Sequence, residues 1–231
     1  MKIAGMLVVR KNSVRVPNKL LRPFGGTTLF DIALERYSRH PALSRLYLCA
    51  HEDEFFEKAA AYPDLVQIRR SHRSAHGETA AEIYDFLDQV EEEWLVNLNP
   101  CCPFARAETL TTAIGHFATN GCKSLVPAVT IRDWVCNEQG QYLNAAPDSI
   151  NSKDLRPLYK MTHPFVIYSK TRLRDTGTIW SLSPGDPCLF PVGDFEGIDI
   201  DMPNDFTIAE ALYRYLNDHE RAVDPCDHRK L

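Results

Sequence analysis

Short apolar runs alternate with stretches of helical periodicity through the first half of the chain. Ile3–Val9 is a continuous apolar run of strand length and predicts a buried first strand. After a polar loop, Leu29, Phe30, Ile32, Ala33, Leu34 and Tyr37 recur at helical spacing. Thr27 or Thr28 supplies the N-cap hydroxyl that such a helix needs for its unpaired amides. Leu46–Ala50 and Leu65–Ile68 predict two more strands, with a helix over Glu54–Ala61 between them. The stretch Glu78–Glu93 sets Ile83, Phe86, Leu87 and Val90 on one face and predicts a helix. Strands follow at Leu95–Leu98 and Ser124–Val129, with a helix at Ala107–Phe117. Pro100-Cys101-Cys102-Pro103 predicts a turn, because two prolines withdraw two backbone donors.

From Arg132 to Asp194 the pattern weakens into Asn-, Pro- and Gly-rich turns around one strand at Phe165–Tyr168. Pro203–Leu216 is again helical, with Ile208, Ala209, Leu212 and Tyr215 on one face and proline in its first turn. The tail after Asp218 is polar and reads as loose. Strands alternating with helices, without repeat or linker, predict an α/β fold with a largely parallel sheet flanked by helices. The expected organisation is one domain over residues 1–231, with a small inserted lobe over 132–194.

Composition narrows the function classes. The chain has 231 residues, and its 26 Lys+Arg against 31 Asp+Glu give a net charge of −5. That balance argues against a dedicated nucleic-acid binder, yet leaves room for a basic pocket around one phosphorylated ligand. No apolar run approaches the roughly 20 residues that cross a bilayer, and the N-terminal run is too short for a signal peptide. Seven cysteines lie scattered without framework spacing, so the expectation is a reduced, cytoplasmic protein without membrane partners.

Two constellations carry chemistry. In Arg10-Lys11-Asn12-Ser13-Val14-Arg15-Val16-Pro17-Asn18-Lys19, four basic residues follow the first strand, where open α/β sheets bind ligands. Neither a dinucleotide fingerprint nor a Walker loop is present. Arg and Lys at that place can still cradle a polyphosphate, Arg by bidentate contact and Lys as a point charge. The second constellation is Gly197-Ile198-Asp199-Ile200-Asp201-Met202-Pro203-Asn204-Asp205-Phe206. Asp199 and Asp201, two apart on an expected strand end, face the same side. Like charges that close need a cation, and Mg2+ held by one or two carboxylates plus substrate phosphates fits. Asp205 is expected to favour the following helix through its dipole. A zinc-deaminase reading of His76-Gly77-Glu78 with Pro100-Cys101-Cys102 fails, because Phe104 stands where a third ligand would be needed.

With these residues in view, the chain resembles the acylneuraminate cytidylyltransferase family, which includes the CMP-sialic acid synthetases. Val9 through Leu21 matches the family's A-R-x-x-S-K-G-x-P-x-K-N-L loop, and Leu98 through Phe104 its L-Q-P-T-S-P-L turn. Ile198 through Phe206, with Ala209-Glu210, matches its I-D-I-D-x-P-x-D-F motif most closely. Asn151 through Tyr159 resembles an N-T-Q-D-L-x-P-x-Y stretch found in part of the family.

The resemblance implies a nucleotide-diphosphosugar transferase-like fold, a homodimer with an exchanged arm, and Mg2+-dependent transfer of CMP from CTP to a sugar acid. It implies that Arg10 and Lys19 hold the CTP phosphates, with Lys19 neutralising charge at the attacked phosphorus. Asn12 and Ser13 would line the nucleotide loop, and Arg69 or Arg70 with Thr79 would lie in the region that contacts the nucleotide. Asn99, Cys101 and Cys102 would face the sugar acid, and Asp199 and Asp201 would carry the metal. The chain also departs from the family. Val14 and Arg15 replace its Lys-Gly, Leu20 its Asn, Ala50-His51-Glu52 its S-T-D, Asn99 its Gln, and Cys101-Cys102 its Thr-Ser. These changes predict an acceptor other than N-acetylneuraminate: another nonulosonate, a Kdo-like octulosonate or a smaller acid. The competing expectations are another NTP, a sugar-phosphate acceptor, or an inactive nucleotide-binding paralogue.

Overall fold

Ile3–Val8 forms β1, buried along nearly its whole length. It lies between two parallel neighbours in the computed structural model, which describes residues 1–11, 13–146 and 148–220. A two-stranded hairpin of β2 (Pro23–Phe24) and β3 (Thr27–Thr28) leads into helix α1, Leu29–Tyr37. Thr28 caps α1, its hydroxyl accepting from the Asp31 amide. The chain continues through β4 (Arg45–Ala50), α2 (Asp53–Ala59), β5 (Val66–Arg69), α3 (His72–His76), α4 (Ala80–Ile83) and β6 (Trp94–Leu98). After these come α5 (Ala107–Thr119), β7 (Leu125–Ile131), β8 (Leu158–Met161), β9 (Phe165–Ser169), α6 (Lys170–Thr176), β10 (Cys188–Pro191) and α7 (Pro203–Glu220).

The main sheet has the order β10-β7-β9-β6-β1-β4-β5, with β8 pairing on β7. β9 runs antiparallel to both β6 and β7, and β8 antiparallel to β7. The other strands share one direction. This is the mixed, largely parallel sheet the apolar runs predict. One face buries Leu29, Phe30 and Leu34 of α1 with Phe55, Leu110, Phe117 and Phe206. The opposite face buries Met6, Tyr47, Phe86, Val90, Tyr168 and Leu173. Helices therefore cover both sides, and the carboxyl ends of β1, β4 and β6 are left to converge on one edge.

Three expectations need correction. The stretch 78–93 is not one helix: α4 ends at Ile83, and a single 3-10 turn follows over Leu87–Gln89. The Ile83 carbonyl accepts the Ser74 hydroxyl at 2.6 Å, and Tyr84 leaves the helical region at φ −111°, ψ 30°. Phe86, Leu87 and Val90 are buried all the same, so the apolar spacing reported burial rather than helix. The weakly patterned stretch also holds more structure than one strand, contributing β8, α6 and β10. Finally, the cysteines are not all thiols: Cys122 and Cys188 form a disulfide with their Cα atoms 5.9 Å apart. The parallel register of β10 on β7, with the Cys188 amide donating to the Ser124 carbonyl at 2.9 Å, brings together residues 66 positions apart. Spacing along the chain carries no sign of such a pair. Among the described residues no helix is long and apolar enough to cross a membrane.

Candidate active site

The site is assembled from three segments at the carboxyl edge of the sheet. The loop after β1 is anchored by buried Val16 and Leu20 and by two turn bonds, Lys19 amide to Val16 carbonyl and Leu21 amide to Asn18 carbonyl. Asn18 takes φ 53°, a left-handed conformation asparagine tolerates better than most residues. At the end of β6, the Asn99 side-chain oxygen accepts the Cys101 amide at 2.9 Å and shapes the turn. Its Nδ2 donates to Asp199 Oδ2 at 3.1 Å. The third segment, 198–201, is extended but belongs to no strand, and the Ile200 amide donates to the Cys101 carbonyl at 3.0 Å. Asp205 caps the helix beyond it, accepting the Asp201 and Met202 amides at 3.0 and 2.7 Å.

These anchors bring Lys19 and the acidic pair together. Lys19 Nζ donates to the Ile200 carbonyl at 2.5 Å and lies 3.8 Å from Asp201 Oδ1. Arg15 Nη2 donates to the same oxygen at 2.7 Å. Burial, reinforced by the neighbouring Asp201 charge, raises the Asp199 carboxyl above its ordinary value, against the pull of Lys19 and Asn99. Cys101 sits beside them, its thiol pushed up to about 11 by burial although Lys19 acts in the other direction. A pocket of about 230 Å³ opens here, lined by Arg10, Ser13, Arg15, Lys19, Asn99 and Cys101. The Arg10 side chain is exposed and makes no hydrogen bond or ion pair among the described residues. A larger cleft of about 980 Å³ lies elsewhere, between α1, the start of α5 and α7.

The remaining expected site residues are placed differently. Arg69 is committed to the His51 carbonyl at 2.7 Å and Asp53 at 2.6 Å, and stacks on Phe56. Arg70 is buried, donating to the Val9 carbonyl at 2.9 Å and the Ser74 hydroxyl at 3.0 Å. Burial lowers its pKa. Thr79 forms a capping box with Glu82 at the start of α4. Cys102 is buried, with its carbonyl accepting Arg36 at 3.4 Å. Asn12 lies outside the described residues. Sequence reading missed Arg36, which grips the Cys102 and Pro103 carbonyls from behind the turn. It also gave Arg15 no role of its own.

A family model described as cytidylyltransferase matches residues 4–169, most of the chain and the whole of the β1 loop and the β6 turn. The chain belongs to the cytidylyltransferase family. It is thus a nucleotidyltransferase that uses CTP. No curated protein matches it in sequence. Among solved structures, a CMP:2-keto-3-deoxy-manno-octonic acid synthetase complexed with CTP is similar at TM-score 0.69 and 15% identity, covering 94% of this chain and 100% of that one. A 4-diphosphocytidyl-2C-methyl-D-erythritol synthase from Anaerococcus prevotii is similar at TM-score 0.63 and 15% identity, covering 92% of this chain and 98% of that one. At these identities the likeness is one of fold.

Asp199 and Asp201 lie beyond the span the cytidylyltransferase model matches, so their fit to a divalent cation rests on geometry. Two carboxylates two positions apart, one of them raised by burial and by the other's charge, are hard-oxygen donors of the kind that would suit a divalent cation. Among the described residues no group of three or more His, Cys, Asp or Glu is arranged to hold a metal.

Proposed function

We propose that this cytidylyltransferase transfers CMP from CTP to a hydroxyl of a small acidic sugar, releasing pyrophosphate. The observation that carries the reading is the contact of the acidic pair with two residues that line the β1-loop pocket: Lys19 beside Asp201 and the Ile200 carbonyl, and Asn99 donating to Asp199. The acceptor oxygen attacks the α-phosphorus in line, the bond to the β-phosphate breaks, and pyrophosphate leaves with the electron pair. In such a transfer, catalysis is mostly positioning and charge stabilisation. Lys19 is fixed by a main-chain oxygen, so its ammonium points at the pocket without being consumed by a strong ion pair. Arg10 binds the outer phosphates, and Ser13 lines their loop. Asp199 and Asp201 would hold Mg2+, which when bound would neutralise phosphate charge and favour deprotonation of the acceptor hydroxyl.

The acceptor side supports a substrate other than N-acetylneuraminate. Asn99 already spends both ends of its amide on Cys101 and Asp199, and Cys101 offers a weak donor where a hydroxyl would bind a polyol strongly. The first neighbour's name pairs CMP with 2-keto-3-deoxy-manno-octonic acid, which supports an acid of the octulosonate kind. A second reading is a phosphorylated polyol, since a diphosphocytidyl product, as in the name of the other neighbour, needs an acceptor that brings its own phosphate. The enzyme is proposed to act in the cytoplasm as a homodimer.

The test is pyrophosphate release with Mg2+ and CTP against a panel of 2-keto-3-deoxy acids, N-acetylneuraminate and phosphorylated polyols, with Asp201→Ala alongside. Release with a keto-deoxy acid, lost in the variant, is expected. Best turnover with N-acetylneuraminate or a polyol phosphate would replace the acceptor assigned here. Binding of CTP with no release for any acceptor would point to an acceptor outside the panel or to a chain that has stopped being an enzyme.

A further inference from the structure

We propose that Arg15 is an exchangeable counter-ion of the acidic pair: it holds the charge of Asp201 in the empty enzyme and hands that carboxylate over on loading, its guanidinium then turning to the triphosphate. This rests on the cation site assigned above to Asp199 and Asp201, and adds a residue that site had not been given.

Asp201 Oδ1 faces two cations that are held very differently. Lys19 is 12% exposed, 3.8 Å away, and has its shorter bond to the Ile200 carbonyl. Arg15 is 58% exposed, comes from the same β1 loop, and makes the closer contact at 2.7 Å. Lys19 is therefore a fixture, and Arg15 is the partner that can leave. An ion pair this open to water is weakly held, so a better ligand for Asp201 displaces it readily. Asp199 accepts its side-chain hydrogen bond from the neutral Asn99 amide, and both cations in contact with the pair, Lys19 and Arg15, lie on Asp201. A divalent cation bound by both carboxylates competes with Arg15 for the negative charge of the Asp201 carboxylate. The guanidinium it releases is already at the mouth of the pocket with Arg10 and Lys19, and its fork matches phosphate oxygens. The loop does not need this ion pair to fold, because buried Val16 and Leu20 and the Lys19 and Leu21 turn bonds hold it. Arg15→Gln should consequently fold and can be read directly.

The experiment measures two affinities with opposite expected signs. Mn2+ alone is titrated into wild type, Arg15→Gln, Arg15→Lys and Asp201→Asn, followed by electron paramagnetic resonance of the unbound ion. CTP binding is then measured by calorimetry with Mg2+ saturating. Removing a competitor held by a half-exposed ion pair should tighten Mn2+ by about two- to fivefold in Arg15→Gln. Loss of a charge-assisted phosphate contact should weaken CTP by about tenfold or more. Arg15→Lys should lie between wild type and Arg15→Gln in both. Mn2+ affinity unchanged or lowered in Arg15→Gln overturns the exchange, as does tighter Mn2+ with unchanged CTP affinity. Asp201→Asn should lose Mn2+ in the same titration. If neither wild type nor Arg15→Gln binds Mn2+, with or without CTP, the acidic-pair assignment itself fails and the exchange with it.

Discussion

Lys19 is held by the Ile200 carbonyl, a neutral acceptor, and so keeps most of its charge for a ligand. Lys19→Ala should therefore lower kcat/KM by about 10²–10³-fold in steady-state pyrophosphate release, the cost of one preorganised donor at a charged transition state. Cys101 behaves in the opposite way. With its thiol pushed up to about 11, it stays protonated near neutral pH. Iodoacetamide at neutral pH should label exposed Cys136 before Cys101, as read by peptide mass spectrometry. The basic loop and the acidic pair were legible in the sequence because each sits in a short stretch of like residues. The fate of Arg69 and Arg70 was not: adjacent on one strand end, one turns outward to Asp53 and the other inward to Val9. Nothing in their neighbours' identities distinguishes them.

Elements were legible where burial and period agree. The first helix and its threonine cap follow from spacing and one hydroxyl, whereas the stretch 78–93 misleads because the Ser74 hydroxyl captures the Ile83 carbonyl. Strand β8 was missed because Lys160 breaks its pattern, and β10 because its short apolar run lies between Pro187 and Pro191, which read as turn punctuation. Arg70 shows how one buried side chain ties such elements together. It bonds the end of β1 to the Ser74 turn, so Arg70→Ala leaves the Val9 carbonyl and the Ser74 hydroxyl short of a donor. A loss of about 2 kcal/mol in urea unfolding is expected, the cost of leaving buried polar groups unpaired. Arg36 is the corresponding brace behind the β6 turn. Arg36→Ala should raise the KM for the acceptor several-fold, about what a loosened positioning contact costs, while leaving CTP affinity close to wild type.

Across the whole molecule, a polar knot fastens the far edge of the sheet. Burial alone would raise the Asp186 carboxyl, but hydrogen bonds from Ser124, Ser181 and Arg172 outweigh it and hold the group well below the usual carboxylate range. A carboxyl depressed in the native state stabilises the fold fully above its unfolded value, about 4. That stabilisation is lost as pH falls from there toward the native value, because the unfolded chain then takes up the proton first. Thermal midpoints should therefore fall with acidification below about pH 5, and Asp186→Asn should flatten that slope while lowering stability at neutral pH. The sheet's direction was legible from alternating strands and helices. The knot and the Cys122–Cys188 link were not, since both join residues distant in sequence.

The bond from Lys19 to Ile200 spans 181 positions, and that from Arg15 to Asp201 spans 186. Contacts this remote in sequence form late, after the chain between them has collapsed and the loop-closure cost has been met. On the proposed site, catalytic competence is thus a property of the finished topology, since the loop and the acidic pair meet only when both ends of the chain are in place. In refolding from urea, nucleotide binding should return with the slowest phase, after the tryptophan signal of Trp94 has already recovered with the central strands.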